Sequence, residues 1–168
     1  MTMRNFILLT SINKVMKEPG IHSRFIQGAI LASHESRLDV NVYLFLLDID
    51  KYILMRGASV RGVLPDESSV SSMMKSLLMG KKHRGVIIGD AELSHILREV
   101  GGPLLVIPLI LECRSSIRLG NNLSLIVNYY SSELDELLCS RGLGLPHLPP
   151  DQASIIINYA ADNELIIK

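Results

Sequence analysis

Near the start of the chain, apolar residues fall at Phe6, Leu9, Ile12, Val15 and Met16, with Asn5, Asn13 and Lys14 between them. Spacings of three and four predict an amphipathic helix over residues 3–17. Pro19-Gly20 ends it, because proline disfavours helical backbone in the residue before it and glycine suits a helix exit. Ile21, Phe25, Ile26, Ala29 and Ile30 form the stripe of a second helix over residues 21–36. Residues 40–47 are rich in β-branched and aromatic side chains and predict a buried strand. Turn chemistry at Asp48-Ile49-Asp50-Lys51 then returns the chain as a second strand, residues 52–58, of a hairpin.

Asp66-Glu67-Ser68-Ser69 offers caps for a helix whose apolar face is Val70, Met73, Met74, Leu77 and Leu78, stopped at Gly80. Residues 85–90 predict a short central strand and residues 91–100 a short helix. Residues 104–111 predict a buried strand in which Pro108, unable to donate to a ladder, marks a bulge or a sheet edge. Gly120-Asn121-Asn122 turns the chain into a strand over residues 123–130. Ser131-Ser132 can cap a helix over residues 133–140. Pro146, Pro149 and Pro150 belong to an ordered loop, and Asp151 opens a last helix to about residue 166. Such an order lacks regular βαβ alternation. It predicts an α+β fold: one largely antiparallel sheet of five or six strands with helices on both faces.

Composition narrows the classes. The 168 residues are 48% apolar and 20% charged, which suits one globular domain spanning residues 1–168 rather than a disordered chain. Lys and Arg number 17 against 17 Asp and Glu, so no basic surplus rewards polyanion binding, and no nucleic-acid partner is expected. The longest apolar run, residues 103–111, is about half of a membrane span, and no signal peptide precedes it, so a cytoplasmic location is expected. Cys113 and Cys139 are too few for a disulfide framework or a four-cysteine zinc site, and they read as free, inert thiols. No metal site is expected.

Several phrases, in their order along the chain, resemble the GAF family of sensory domains. Tyr43-Leu-Phe-Leu-Leu-Asp48 is similar to that family's first hairpin, and Gly85-Val-Ile-Ile-Gly-Asp90 to its middle strand. Leu104-Leu-Val-Ile-Pro-Leu-Ile-Leu111 resembles its apolar strand with a proline–leucine pair, and Leu148-Pro-Pro-Asp-Gln-Ala-Ser-Ile-Ile-Ile-Asn158 its closing loop and helix. The resemblance implies a non-catalytic regulatory module of signal transduction (GAF/PAS-like), which binds an unidentified small molecule and signals through its terminal helices to a homodimer mate or an output protein. It also implies N- and C-terminal helices together on one sheet face and, on the other, a pocket roofed by the short middle helices and loops. The family's cyclic-nucleotide motif is absent. The alternatives are an interaction or dimerisation module with a filled pocket, and a thiol-dependent methionine sulfoxide reductase. The last helix, with no stop signal, suggests the N-terminal segment of a longer signalling protein.

Candidate ligand contacts are Arg56, Arg61, His95 and Arg98 near the roof, with Tyr43, Asn128 and Tyr130 reaching from strands. His95 and Arg98 lie three apart on one helix and can together clamp a carboxylate or phosphate; against this stands an ordinary solvent-facing pair. A lone His95 is a poor haem ligand without a second ligand or attachment motif, so the cofactor stays unknown. Lys81-Lys82-His83-Arg84, with Lys75, reads as a solvated basic loop. Apolar bands wider than one packing face, at residues 6–9 and 155–157, make Phe6, Leu9, Ile156 and Tyr159 the candidate interface.

Overall fold

The computed structural model describes residues 3–32, 35–60 and 67–167. In chain order its principal elements are β1 (Arg4–Thr10), α1 (Ile12–Lys17), α2 (Pro19–Ile30), β2 (Val40–Leu46), β3 (Lys51–Arg56), α3 (Glu67–Leu78) and β4 (Val86–Asp90). They continue with α4 (Leu93–Glu99), β5 (Leu104–Ile107), β6 (Leu123–Asn128), α5 (Asp135–Arg141), β7 (Leu143–Gly144) and α6 (Pro150–Asp162). Arg61 lies outside the described residues.

The largest departure from expectation is at the start. Residues 4–10 are a strand, and only residues 12–17 of the expected first helix are helical. Phe6, Ile7, Leu8 and Leu9 are consecutive, and in a strand they divide between two faces. Phe6 and Leu8 join one core, Ile7 and Leu9 the other, and all four are fully buried. A strand covered on both faces loses the polar alternation that would identify it, and a short apolar run then carries no period of its own. Phe6 and Leu9 therefore cannot form a partner interface: they sit on the central strand.

Seven strands form one sheet in the order β7-β5-β6-β1-β2-β3-β4. The first five run parallel, with Leu8 opposite Leu44 on β2 and Val127 on β6. Only β3 and β4 are antiparallel additions, and β4 is the edge strand rather than a central one. The expected largely antiparallel α+β sheet is thus corrected to a mostly parallel mixed sheet. With β1 a strand, β1-α1-α2-β2 is a parallel crossover, whereas the locally signalled β2–β3 hairpin is the antiparallel exception. Helices α2, α3 and α6 supply or surround the larger core on one face, and α4 and α5 cover the smaller core on the other.

The left half of the sheet is threaded. Leu143 and Gly144 pair in parallel with Leu105 and Val106 on one side, while Arg114 bridges Gly144 on the other and the Ser115 N–H donates to the Gly144 carbonyl at 2.8 Å. Strand β7 therefore passes between β5 and the later part of the loop that β5 feeds. It connects α5 on one face to α6 on the other, an arrangement rare among folds. Cys113 and Cys139 are joined in a disulfide between that loop and α5, which corrects the expectation of free thiols.

The other end of β1 is held by a buried cation. Arg4, 1% exposed, donates to Asn158 Oδ1 at 2.9 Å and Asn121 Oδ1 at 2.7 Å, and pairs with Asp162 at 2.8 Å. Asn158 in turn donates to the carbonyls of Gly28 and Ala29, so one network ties β1, α2 and α6. Arg4→Met keeps most of the stem but leaves Asn121 Oδ1 and Asn158 Oδ1 without this donor, while Asp162 keeps Arg37. It should cost about 2 kcal/mol in urea unfolding, more than a surface ion pair would.

Candidate functional site

In open parallel sheets, ligands bind beyond the C-terminal ends of the strands, where neighbouring strands send their connections to opposite faces. Strands β1 and β6 are such neighbours: β1 leads to α1 and α2 on one face, β6 to α5 on the other. Beside this point lies a cavity of about 480 Å³. Ile107, Pro108 and Ile110 form one wall, Val127 to Tyr129 the floor, and His147 to Pro150 the opposite wall. The volume falls within the range of small-molecule sites, and the walls are mainly apolar, with main-chain groups from three loops beside them.

Asp135 shapes the first wall. Its carboxylate accepts from the main-chain N–H groups of Leu109, Ile110 and Leu111 at 2.7, 2.9 and 3.0 Å, and from Asn128 Nδ2 at 2.8 Å. Burial pushes the Asp135 carboxyl up, but the three N–H donors and the Asn128 amide outweigh it and hold the group below its ordinary value. Pro108 ends β5 because it has no N–H for a ladder. Strand β5 is therefore half the expected length, and residues 109–111 turn across the cavity mouth to reach this carboxylate.

Tyr129 is fixed from the α1–α2 side. Its hydroxyl donates to Glu18 Oε2 at 2.9 Å, and Lys14 Nζ lies 4.6 Å from the ring centre while donating to the Tyr129 carbonyl at 2.7 Å. Burial, the Glu18 hydrogen bond and nearby negative charge push the Tyr129 hydroxyl up to about 12, so it remains a donor. His22 is buried edge-on to the same ring. Its Nδ1 is 2.8 Å from the Glu18 carbonyl, which can only accept; the proton is therefore on Nδ1, and in the neutral ring Nε2 accepts from the Thr10 hydroxyl at 2.8 Å. Burial lowers the His22 pKa against the pull of Glu18, which keeps that ring neutral.

The sequence-derived candidates scatter around this cavity. Asn128 lines it, although its amide is spent on Asp135 and the Ser131 carbonyl, and its Oδ1 on the Tyr130 N–H. The aromatic residue at the cavity is Tyr129, while Tyr130 packs against the smaller core. Tyr43 is buried in that smaller core, tilted against Tyr52. His95 and Arg98 are exposed on α4, with His95 Nε2 2.9 Å from Glu99, and Arg56 is exposed at the end of β3. The structure does not gather these residues, and the cavity lies at the strand ends rather than on the face opposite the terminal helices. Ile156 and Tyr159 are exposed on α6. Asp135 had no sequence signal beyond being an acidic residue in a helix's first turn. Among the described residues, no three His, Cys, Asp or Glu side chains group to hold a metal, and no helix is long and apolar enough to cross a membrane.

Mostly parallel sheet, threaded loop and helices on both faces together define a three-layer α/β fold with a cavity beside its switch point. The chain is similar over its length to the crystal structure of Archaeoglobus fulgidus Nep1 bound to S-adenosylhomocysteine: TM-score 0.66 and 10% identity, covering 97% of this chain and 98% of that one. No protein-family model and no curated sequence matches it. This shared fold overturns the GAF resemblance, and with it the expected non-catalytic sensory module of signal transduction. The quoted phrases are short apolar strands closed by proline or aspartate, a pattern that buried strands of many folds share. The reductase alternative falls with the same resemblance, since it was a GAF-fold activity and both thiols are in a disulfide.

Proposed function

We propose that this chain is a methyltransferase that uses S-adenosylmethionine, with the cavity between residues 107–110, 127–129 and 147–150 as the cofactor site. The observation that carries the reading is the coincidence of a ligand-sized cavity with the switch point of a sheet shared with a protein solved with S-adenosylhomocysteine. The residues fit such a group: apolar walls at Ile107, Val127 and Leu148 suit a flat heterocycle, and loop main chain supplies the polar edge. S-adenosylmethionine, when bound, supplies a methyl group on a sulfonium sulfur, and S-adenosylhomocysteine is what remains after transfer. The protein's part is to hold its cavity preformed. Asp135 fixes one wall and Tyr129, held by Glu18 and Lys14, fixes the floor, so little ordering cost falls on binding.

S-adenosylhomocysteine at 100 times its dissociation constant should stabilise the protein by about 2.7 kcal/mol. For a chain of this size that is a rise of about 5–10 °C in Tm. Ile110 is 69% exposed on the cavity rim, so Ile110→Asp should remove the shift while leaving the ligand-free Tm within a degree or two. No shift with either S-adenosylmethionine or S-adenosylhomocysteine, over an intact cooperative transition, would overturn the reading.

A further inference from the structure

The geometry points to the Cys113–Cys139 disulfide as a redox-operated latch on this cavity, an inference that rests on reading the cavity as the S-adenosylhomocysteine site. Cys113 lies in the loop that leaves β5 through Pro108 and Ile110, the first cavity wall. Cys139 is on α5, whose first residue, Asp135, holds the N–H groups of Leu109, Ile110 and Leu111. Disulfide and carboxylate therefore fasten one loop to one helix, on either side of the exposed Glu112. Immediately past Cys113, Arg114 and Ser115 pair with Gly144, and the chain from Gly144 runs directly into His147–Pro150, the opposite wall. The bond thus sits where the supports of both walls meet. Both cysteines are half-buried rather than sealed in the core.

The exchange chemistry is that of a dithiol reductant. A thiolate of the reductant attacks one sulfur, the Sγ–Sγ bond breaks, and the departing sulfur takes a proton. The reductant's second thiolate then displaces the other cysteine, which is also protonated. Two electrons pass to the protein, and the reductant leaves as its own disulfide. A small-molecule disulfide drives the reverse. In the reduced protein Asp135 and the Gly144 pairing hold the loop without the covalent tie, so residues 108–115 open more often, and ligand binding must also suppress that opening. That cost lowers affinity.

Isothermal titration of S-adenosylhomocysteine into the full chain tests this in three forms: disulfide-bonded, reduced with dithiothreitol, and Cys113→Ser/Cys139→Ser. Affinity should fall fivefold or more in the second and third forms. Oxidised glutathione should restore it in the wild type and not in the variant. Hydrogen exchange on the same samples should show faster exchange in residues 109–115 on reduction, with α2 and α6 unchanged. Equal affinity in all three forms would overturn the latch and leave the methyltransferase reading standing. Loss of affinity accompanied by loss of protection in α2 and α6 would make the disulfide a purely structural staple and also overturn it. Absence of binding in every form would overturn both.

Discussion

Gly144→Ala should leave the chain unable to reach its threaded fold, with a loss of about 4 kcal/mol or more in chemical unfolding, or no cooperative transition at all. The reason is space rather than backbone freedom. A Cβ on Gly144 would fall on the Cys113 carbonyl and approach Cys113 Sγ, and neither neighbour can move without releasing β7 from one of its two partners. Gly144 is held on both sides: it lies opposite Val106 in the β5–β7 ladder, where the next residue, Leu145, donates to the Val106 carbonyl, and its own carbonyl accepts from Ser115, so the clash cannot be relieved by a shift along either direction. Gly80 is the control. Its φ is +87°, but nothing lies within 4 Å of a Cβ there, so Gly80→Ala meets only the left-handed backbone penalty, about 1 kcal/mol. Circular dichroism melts of the two variants separate the mechanisms. A Gly144→Ala protein that melts within a few degrees of wild type would show that β7 is not clamped between β5 and residues 114–115.

What the sequence disclosed follows from how far each signal acts. The β2–β3 hairpin, α2, α3, α4 and α6 were legible because their patterns are local: turn residues at Asp48–Lys51, caps before Val70, and apolar stripes at helical spacing. Strand β1 was not, since Phe6 to Leu9 satisfy a helical stripe and a two-faced strand equally well. Strand direction depends on connections between elements far apart in the chain, and two-residue β7 has no pattern at all. The site was even less legible. Its most informative side chain, Asp135, acts on main-chain groups 24–26 residues away. Pro108 did announce an interruption in β5, and that is the residue from which the cavity wall begins. The cysteines carry no local sign of pairing because their partnership is set by the threaded loop meeting α5, 26 positions apart in the chain.

Asp135→Ala should cost about 3 kcal/mol and weaken S-adenosylhomocysteine binding tenfold or more, because it strips four donors of one acceptor. The three N–H groups of residues 109–111 belong to a loop without a strand partner, so nothing in the protein replaces the carboxylate. Asp135→Asn retains the shape but turns an N–H toward at least one of those donors, and should cost about 2 kcal/mol. The charge makes this a pH prediction as well. The folded carboxyl titrates below its ordinary value of 3.8, so its stabilisation is fully present above the unfolded value and is lost as pH falls through 3.8 toward the lower folded one. Asp162, held down by Arg37 and Arg4 against the effect of burial, contributes in the same acid window. Urea unfolding from pH 6 to 3 should therefore show a steeper decline for wild type than for Asp135→Asn, with the remaining slope carried by Asp162 and the other carboxylates. Equal slopes would mean that the Asp135 charge is not what holds the loop, and the cavity wall would then need another support.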